Sequence, residues 1–370
     1  MSGIDCTFFD KISRAKFMKE YWGRRPLFVK GGAKGLTSVV SAKKILELST
    51  DEAFTSRLIS TDTKHSDWSL DYGPFPKATL SKLGKSCWTV LVQEIDRKFS
   101  QLDEVRRHFQ VTPNWMFDDI MVSYARDKGS VGPHFDQYDV FLIQGDGSRT
   151  WKLSNRKATD SDLLEGLPIK VLKKFRTDQE FLCEEGDVLY VPPHIPHYGI
   201  SRGDSTTFSV GFRKPTERAV LSHLFEDLLD AAKETVLETG TGKSDRTAEL
   251  DPDTLKVVRR KLGAIVNDEK ALHCALAKEI SSNRNGFATG LEVIAEVADK
   301  KNKSRTKMLE IQLRTRAVYF KDGALWRFFL NGMELIVPSE VCADLKKLFD
   351  ERRATFSRKK AEHILKITKV

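Results

Sequence analysis

A histidine and an aspartate, His134 and Asp136, stand one residue apart in the stretch VGPHFDQYDVFLIQGDGSRTWKL, residues 131–153, and an arginine, Arg149, follows the aspartate after 13 positions. In an extended strand, residues i and i+2 face the same side, so both side chains can reach one point in space. Such a pair is either a buried hydrogen bond or part of a metal site, and a third ligand decides between the two. The segment GDVLYVPPHIPHYGIS offers two candidates, His194 and His197. Two histidines and one carboxylate on one face of an octahedral ion leave three positions open, the arrangement used by non-haem Fe(II) oxygenases. Zinc and manganese accept the same donors, so the ligands alone do not prove redox chemistry. Arg149 discriminates further. An acid cosubstrate that chelates iron through its keto-carboxyl end, as 2-oxoglutarate does, needs a cation at its far carboxylate, and a planar guanidinium supplies a paired hydrogen bond. Without the other three residues, Arg149 would read as an exposed arginine near a hairpin turn. Ser209, on TFSVGFR, reads either as an inward-facing group near the cosubstrate or as an ordinary strand serine.

These residues need a rigid β framework, and the chain carries its pattern. DIMVSYA, YDVFLIQG, RTWKLS, EEGDVLYVPP and TTFSVGFR are short runs rich in β-branched and aromatic residues, separated by Gly, Pro, Asp and Ser. Their spacing predicts one antiparallel barrel between Asp119 and Arg213. The Pro192-Pro193 turn is suited to aiming a following histidine into the barrel mouth. Upstream, SRAKFMKEYWGRRPLFVKGG predicts a helix ending near Gly23 and then an extended piece.

After Lys214-Pro215 the period changes to that of a helix. In TERAVLSHLFEDLLDAAKETVLE, the apolar residues Val220, Leu221, Leu224, Phe225, Leu228, Leu229, Ala232 and Val236 form one stripe. TGTGKSDRT breaks that helix, DPDTLKVVRRKLGAIVNDEKALHCALAKEIS predicts a second helical stretch, and GLEVIAEVADK a third. A stripe this wide on a unit of about 90 residues predicts packing against a second copy of the chain. Past the basic linker KKNKSRTK, Asn331-Gly332 between apolar runs predicts a hairpin. SEVCADLKKLFDERR then predicts a helix capped by Ser339. Helix, hairpin and helix together suggest a winged-helix-like unit.

Composition narrows the function classes. With 370 residues, 40% hydrophobic and 31% charged, the chain has material for two or three domains and a sizeable core. No run approaches 18 apolar residues, and the N-terminus lacks the basic-then-apolar order of a signal peptide, so a cytoplasmic protein without membrane contact is expected. Five scattered cysteines without CxxC spacing argue against a disulfide framework or a cysteine-built zinc site. The net charge of +9 is concentrated: residues 300–370 hold 18 Lys and Arg against 8 Asp and Glu, while residues 1–299 hold 43 against 44. That basic region reads as a solvated lysine-rich face or as a surface for RNA, DNA or an acidic protein.

Gly186, Pro192 and His197 resemble the second motif of the cupin barrel, with His194 where that motif usually has glycine. This favours His197 as the third ligand and gives His194 a structural role. The run VSYARDKGSVGPHFDQYDVFLIQGDGSRTWKL, together with LYVPPHIPHYGIS and TFSVGFR, resembles the JmjC-type ribosomal oxygenases, and among them the bacterial branch that hydroxylates an arginine of large-subunit ribosomal protein L16. The resemblance covers most of the chain. It implies an α+β fold: a double-stranded β-helix (cupin/JmjC) barrel over 1–214, a helical dimerisation domain over 215–305 and a winged-helix-like domain over 306–370. It further implies that His134, Asp136 and His197 hold Fe(II), that Arg149 anchors 2-oxoglutarate, and that Asp127 contacts the substrate guanidinium. The implied reaction hydroxylates a side chain of a ribosomal protein while 2-oxoglutarate becomes succinate and carbon dioxide. The chain departs from the family at RDKGSVG, where Arg126 and Lys128 flank Asp127, and in its basic C-terminal unit. Rival readings are the same chemistry on a histidine or on a dedicated peptide, and a non-catalytic cupin protein that binds nucleic acid. The intact set of four residues speaks against the last.

Overall fold

The runs of β-branched and aromatic residues between 117 and 212 form antiparallel strands in the computed structural model, which describes residues 3–62, 67–167, 169–231, 252–282, 294–297, 306–312 and 315–368. These fall into a first unit, residues 1–214, and a second, residues 215–370. Strands of the first unit are β1 (Asp5–Cys6), β2 (Leu27–Val29), β3 (Ala33–Lys34), β4 (Ser56–Asp62), β5 (Asp67–Tyr72), β6 (Trp88–Val92), β7 (Phe117–Ala125), β8 (Asp139–Gln144), β9 (Ser148–Leu153), β10 (Gln179–Cys183), β11 (Val188–Val191), β12 (His197–Arg202) and β13 (Ser205–Phe212). Its helices are α1 (Phe8–Lys11), α2 (Arg14–Glu20), α3 (Leu36–Val39), α4 (Ala42–Leu48), α5 (Lys77–Ser81) and α6 (Asp103–Phe109). Ser13 caps α2 with its side chain, and Gly23 takes φ +67 just beyond the helix, where β2 then begins.

Among the described residues, a large sheet runs β2-β11-β8-β13-β7-β6-β4-β5 and a smaller one β10-β9-β12. Side-chain alternation gives the large sheet two different faces. Phe141 and Ile143 of β8, Val122 of β7, and Phe208 and Val210 of β13 join Phe8, Phe17, Ile45 and Phe109 of the helices in one core. Val140 and Leu142, the alternate positions of β8, instead meet Trp151, Leu153 and Cys183 of the smaller sheet. Burying a Phe or Leu side chain contributes about 1.5–3 kcal/mol. The helix-backed face therefore anchors the sheet, and the other face is left to form a cavity wall.

The second unit contains α7 (Glu217–Ala231), α8 (Pro252–Val266), α9 (Glu269–Ser281), β14 (Ile294–Val297), β15 (Thr306–Ile311), β16 (Ala317–Asp322), β17 (Leu325–Leu330), β18 (Met333–Leu335), α10 (Cys342–Glu351), β19 (Arg353–Ser357) and α11 (Arg358–Ile367). Asn331 and Gly332, at φ +50 and +85, turn β17 into β18 as the hairpin signal predicts. Two expectations need correction. The stretch expected as a third helix contains β14, whose Ile294 and Val297 pair with Ile311 and Met308 of β15; a short apolar run fits either period, and the neighbouring strand decides it. Ser339 does not cap α10, which starts after Val341 without a side-chain cap. Along the apolar stripe of α7, Leu224 is buried while Leu221, Phe225 and Leu229 are exposed. Ala232, Val236, the TGTGKSDRT break and most of the basic linker lie outside the described residues.

Candidate metal and cosubstrate site

His134 and Asp136 do not lie in a regular strand, contrary to expectation; they occupy the loop leading into β8. Their common direction survives for a local reason. The intervening Phe135 is buried on the opposite side with Ala158 and Leu172, and its ring stacks on that of His194, with centroids 5.7 Å apart. The loop itself is pinned to the start of β12. His134 N–H donates to the His197 carbonyl (3.0 Å), and His197 N–H donates back to the His134 carbonyl (2.8 Å). A residue pair that exchanges both bonds in this way carries its side chains on the same face. One turn earlier, His194 N–H donates to the Asp136 carbonyl at 2.7 Å.

The potential ligand atoms of His134, Asp136 and His197 all lie within 4.8 Å of one another, and among the described residues this is the one His/Cys/Asp/Glu group so arranged. The two imidazoles are 4.2 Å apart between centroids, and His197 Nε2 is 3.6 Å from an Asp136 carboxylate oxygen. Each ring is held through Nδ1, His134 by the Gly132 carbonyl (2.9 Å) and His197 by that of Ile195 (3.0 Å). With Nδ1 occupied as donor, Nε2 is left as the coordinating atom. Burial, reinforced by the neighbouring His134, pushes the His197 pKa down to about 4, which keeps it in the neutral form a metal needs. Gly132, at φ +83, sits where a Cβ would meet Trp68 and Val171 at 3.0–3.1 Å, so this turn both requires and encloses a glycine.

A cavity of about 360 Å³ opens onto this triad, and its large-sheet wall consists of alternate residues: Arg57 and Ile59 of β4, Leu91 of β6, Asp119, Met121 and Ser123 of β7, Thr207 and Ser209 of β13. Arg149 lies at its inner end and is only 6% exposed. Its Nη1 and Nη2 donate to the hydroxyls of Ser123 and Ser205, both at 3.2 Å, and its Nε has no partner. Burial pushes the guanidinium down to about 10, still a cation at neutral pH. Cys183, its register partner on β10, supplies no counter-charge, because burial pushes that thiol up to about 12. A buried cation held only by neutral hydroxyls is a site prepared for an incoming anion.

His134, Asp136, His197, Arg149 and Ser209 are thus brought to one cavity. Asp127 is not among its lining residues; it lies past the end of β7, and its carboxylate accepts from the Gly203 N–H at 2.9 Å. His194 is outside the triad and adopts φ +66, a left-handed conformation that accounts for glycine at this place in the cupin motif. Several cavity residues escape a reading of motifs alone: Asp119, Tyr138, Met121, Arg57 and Arg213. The outer group is ion-paired, with Arg213 Nε 2.5 Å from Asp118 and its guanidinium 4.8 Å above the Tyr138 ring. Gly211 leaves space in the wall, since a Cβ there would lie 3.5–3.8 Å from Tyr138 and Asp119.

Residues 104–220 match the JmjC domain family. The probable ribosomal oxygenase of Haemophilus influenzae is 34% identical over 232 residues, covering 62% of this chain and 55% of the relative. The ribosomal protein uL16 3-hydroxylase of Escherichia coli is 34% identical over 213 residues, covering 56% and 54%. The chain thus spans a little over half the length of each of these relatives. The solved structure of the E. coli ribosomal oxygenase YcfD superimposes with a TM-score of 0.75 over 96% of this chain and 92% of that one, at 23% identity. YcfD in complex with cobalt and 2-oxoglutarate matches equally well, covering 96% and 93%. The barrel is therefore of the cupin/JmjC type.

Proposed function

We propose that this JmjC-domain chain is an Fe(II)- and 2-oxoglutarate-dependent protein hydroxylase acting on an arginine side chain of a uL16-like ribosomal protein. The observation that carries the reading is the convergence of His134, Asp136 and His197 at a cavity whose inner end holds the hydroxyl-bound cation Arg149. The relatives named for ribosomal oxygenation and for uL16 3-hydroxylation support the substrate class. His134, Asp136 and His197 would hold the iron, which when bound with 2-oxoglutarate supplies the oxidising power for C–H hydroxylation. The chain's own residues position and shield. Arg149 and its supporting hydroxyls orient the far carboxylate, while Trp151, Val140 and Leu142 keep the inner wall apolar. Ser209 lines the same cavity, paired in register with Met121 and Leu142. We assign the substrate guanidinium to Asp119, because its carboxylate lines the cavity and that of Asp127 does not. Tyr138 and Met121 flank it as apolar surface.

For the second unit we propose a helical dimerisation region over 215–305 and a winged-helix-like region over 306–370. The exposed Leu221, Phe225 and Leu229 of α7, with Leu255, Leu262 and Val266 of α8, favour a second copy of the chain as partner. The basic C-terminal region reads better as a structural clamp than as a nucleic-acid surface: Lys307, Arg327, Arg358 and Lys360 are paired with Glu296, Asp322, Glu362 and Asp344. No helix among the described residues is long and apolar enough to cross a membrane, and the proposed substrate places the protein in the cytoplasm.

The test is direct. Purified protein with ferrous iron, 2-oxoglutarate and recombinant uL16 should yield succinate and uL16 heavier by one oxygen, with fragmentation locating it on an arginine. Asp136→Ala should abolish both products and metal binding. No mass shift on uL16 would refute the assigned substrate, and full activity of Asp136→Ala would refute the metal site.

A further inference from the structure

One row of residues crosses the cavity wall in register: Tyr72 pairs with Arg57, Arg57 with Leu91, Leu91 with Ser123, and Ser123 with Thr207. All five side chains line the cavity. Exposure falls along the row, from 68% at Tyr72 to 5% at Leu91 and 2% at Thr207. The row therefore runs from the mouth to the interior, where Arg149 bonds to Ser123. With neighbouring strands roughly 4.8 Å apart, Arg57 stands about 10 Å from Ser123 along the row. At the mouth, β5 is an edge strand whose one partner among the described residues is β4.

Arg57 is an unusual group to find there. The hydrogen-bond partner of its guanidinium among the described residues is the Met121 thioether, 3.9 Å away, a weak acceptor, and its buried Nε has none. A desolvated donor without an acceptor is costly unless a ligand supplies one. Arg149 already occupies the place suited to the cosubstrate. Because Arg57 is next to Tyr72 at the mouth end of the row, a substrate side chain that enters there to reach the triad must pass it, so on that reading the substrate atoms level with Arg57 belong to its main chain, whose carbonyl oxygens any polypeptide presents.

On the reading of the cavity as a protein-hydroxylase site, we propose that Arg57 is a substrate-positioning residue that donates to main-chain carbonyl oxygens of the polypeptide beside the target residue, with Tyr72 as the surface on which that backbone rests. Steady-state kinetics of the full chain on recombinant uL16 test this. In Arg57→Gln the KM for uL16 should rise at least tenfold, more than any fall in kcat, because the lost contact is made in ground state and transition state alike. Arg57→Lys keeps the charge without the planar fork and should show a smaller rise, about threefold. It also carries the test if Arg57→Gln does not fold. An unchanged KM in the folded variants overturns the assignment, and so does an equal rise in the KM for 2-oxoglutarate, which would mark a distorted cavity. In uL16 whose Asp and Glu near the hydroxylated residue are exchanged for amides, the difference between wild type and Arg57→Gln should persist; its disappearance would move the contact to a carboxylate and overturn the main-chain assignment. If wild-type protein leaves uL16 unmodified, the proposed function fails first and this assignment with it.

Discussion

The two ends of the cavity treat their arginines in opposite ways. At the inner end, Arg149 is buried among hydroxyls, with no carboxylate paired to it among the described residues. At the outer end, Arg213 is paired with Asp118 and covers the Tyr138 ring; burial, the largest single influence, lowers its pKa, but Asp118, Tyr138 and Asp119 together outweigh that and hold it above the usual value. A cation with its own counter-charge is part of the scaffold. A desolvated cation without one is stabilised only when an anion arrives, so its energy goes into binding rather than folding.

The largest expected effect tests the inner end. Arg149→Met should weaken 2-oxoglutarate binding by more than a hundredfold, since a hydrogen bond to a charged group contributes about 1.5–3 kcal/mol and two are lost. Arg149→Lys should lose about tenfold. Titration of the full chain with 2-oxoglutarate in the presence of a redox-inert divalent metal gives both numbers. Weakening of metal binding by the same factor would mean that the variant disturbs the triad, and the contrast between the two ends would collapse.

Arg213→Met should do the converse. Loss of the ion pair and of the contact with Tyr138 should cost about 2 kcal/mol of stability, seen as a fall in Tm of roughly 4–8 °C, with 2-oxoglutarate affinity changed by less than threefold. Asp118→Asn combined with Arg213→Met should be less destabilised than the sum of the single changes, because the pair is lost only once. Strict additivity would show that the pair contributes nothing.

How much of this contrast the sequence shows depends on the distance over which each feature is decided. The facing of His134 and Asp136 is a matter of adjacent residues and can be read directly, even though the segment is a pinned loop rather than a strand. The place of Arg149 follows from the short GDGS turn. Its hydroxyl partners do not, because Ser123 and Ser205 lie 26 and 56 positions away and meet it only through strand register. Asp119 was accessible by parity: in DDIMVSYA it shares a face with Met121 and Ser123, while Ile120 and Val122 turn to the helix-backed core. Motif similarity points instead to Asp127, which lies beyond the strand where parity no longer holds. In the second unit, the α7 stripe shows which residues are apolar but not that, with α7 packed on α9, Leu224 is buried and Phe225 stays exposed.

Acidity offers a more graded test of the inner end. His197 has a folded-state pKa near 4 through burial, against about 6.5 in the unfolded chain. Between these values the unfolded chain binds the proton and the folded one does not. Stability is therefore complete above pH 6.5 and falls as pH drops toward 4, by up to about 1.4 kcal/mol per unit from this group. Metal-free protein should show this slope in chemical denaturation, and His197→Asn should flatten it. An unchanged slope in that variant would show that the triad histidine is not the group concerned.

The smallest effect concerns His194, three residues before the triad residue His197 and on the far side of the same turn. Its backbone N–H fixes the Asp136 carbonyl, a contact any residue can make, while its φ of +66 is strained for a side chain and free for glycine. Replacing it with glycine relieves about 1 kcal/mol of backbone strain but forfeits the stacking on Phe135, worth about 0.5–1.5 kcal/mol. The two nearly cancel, so His194→Gly should shift unfolding free energy by less than about 1 kcal/mol and leave metal affinity within threefold. His197→Gly, by contrast, should lose the metal. Calorimetric metal titration of both variants separates the two histidines; a tenfold loss of affinity in His194→Gly would mean that the ring, and not only the backbone of this turn, holds the ligand loop in place.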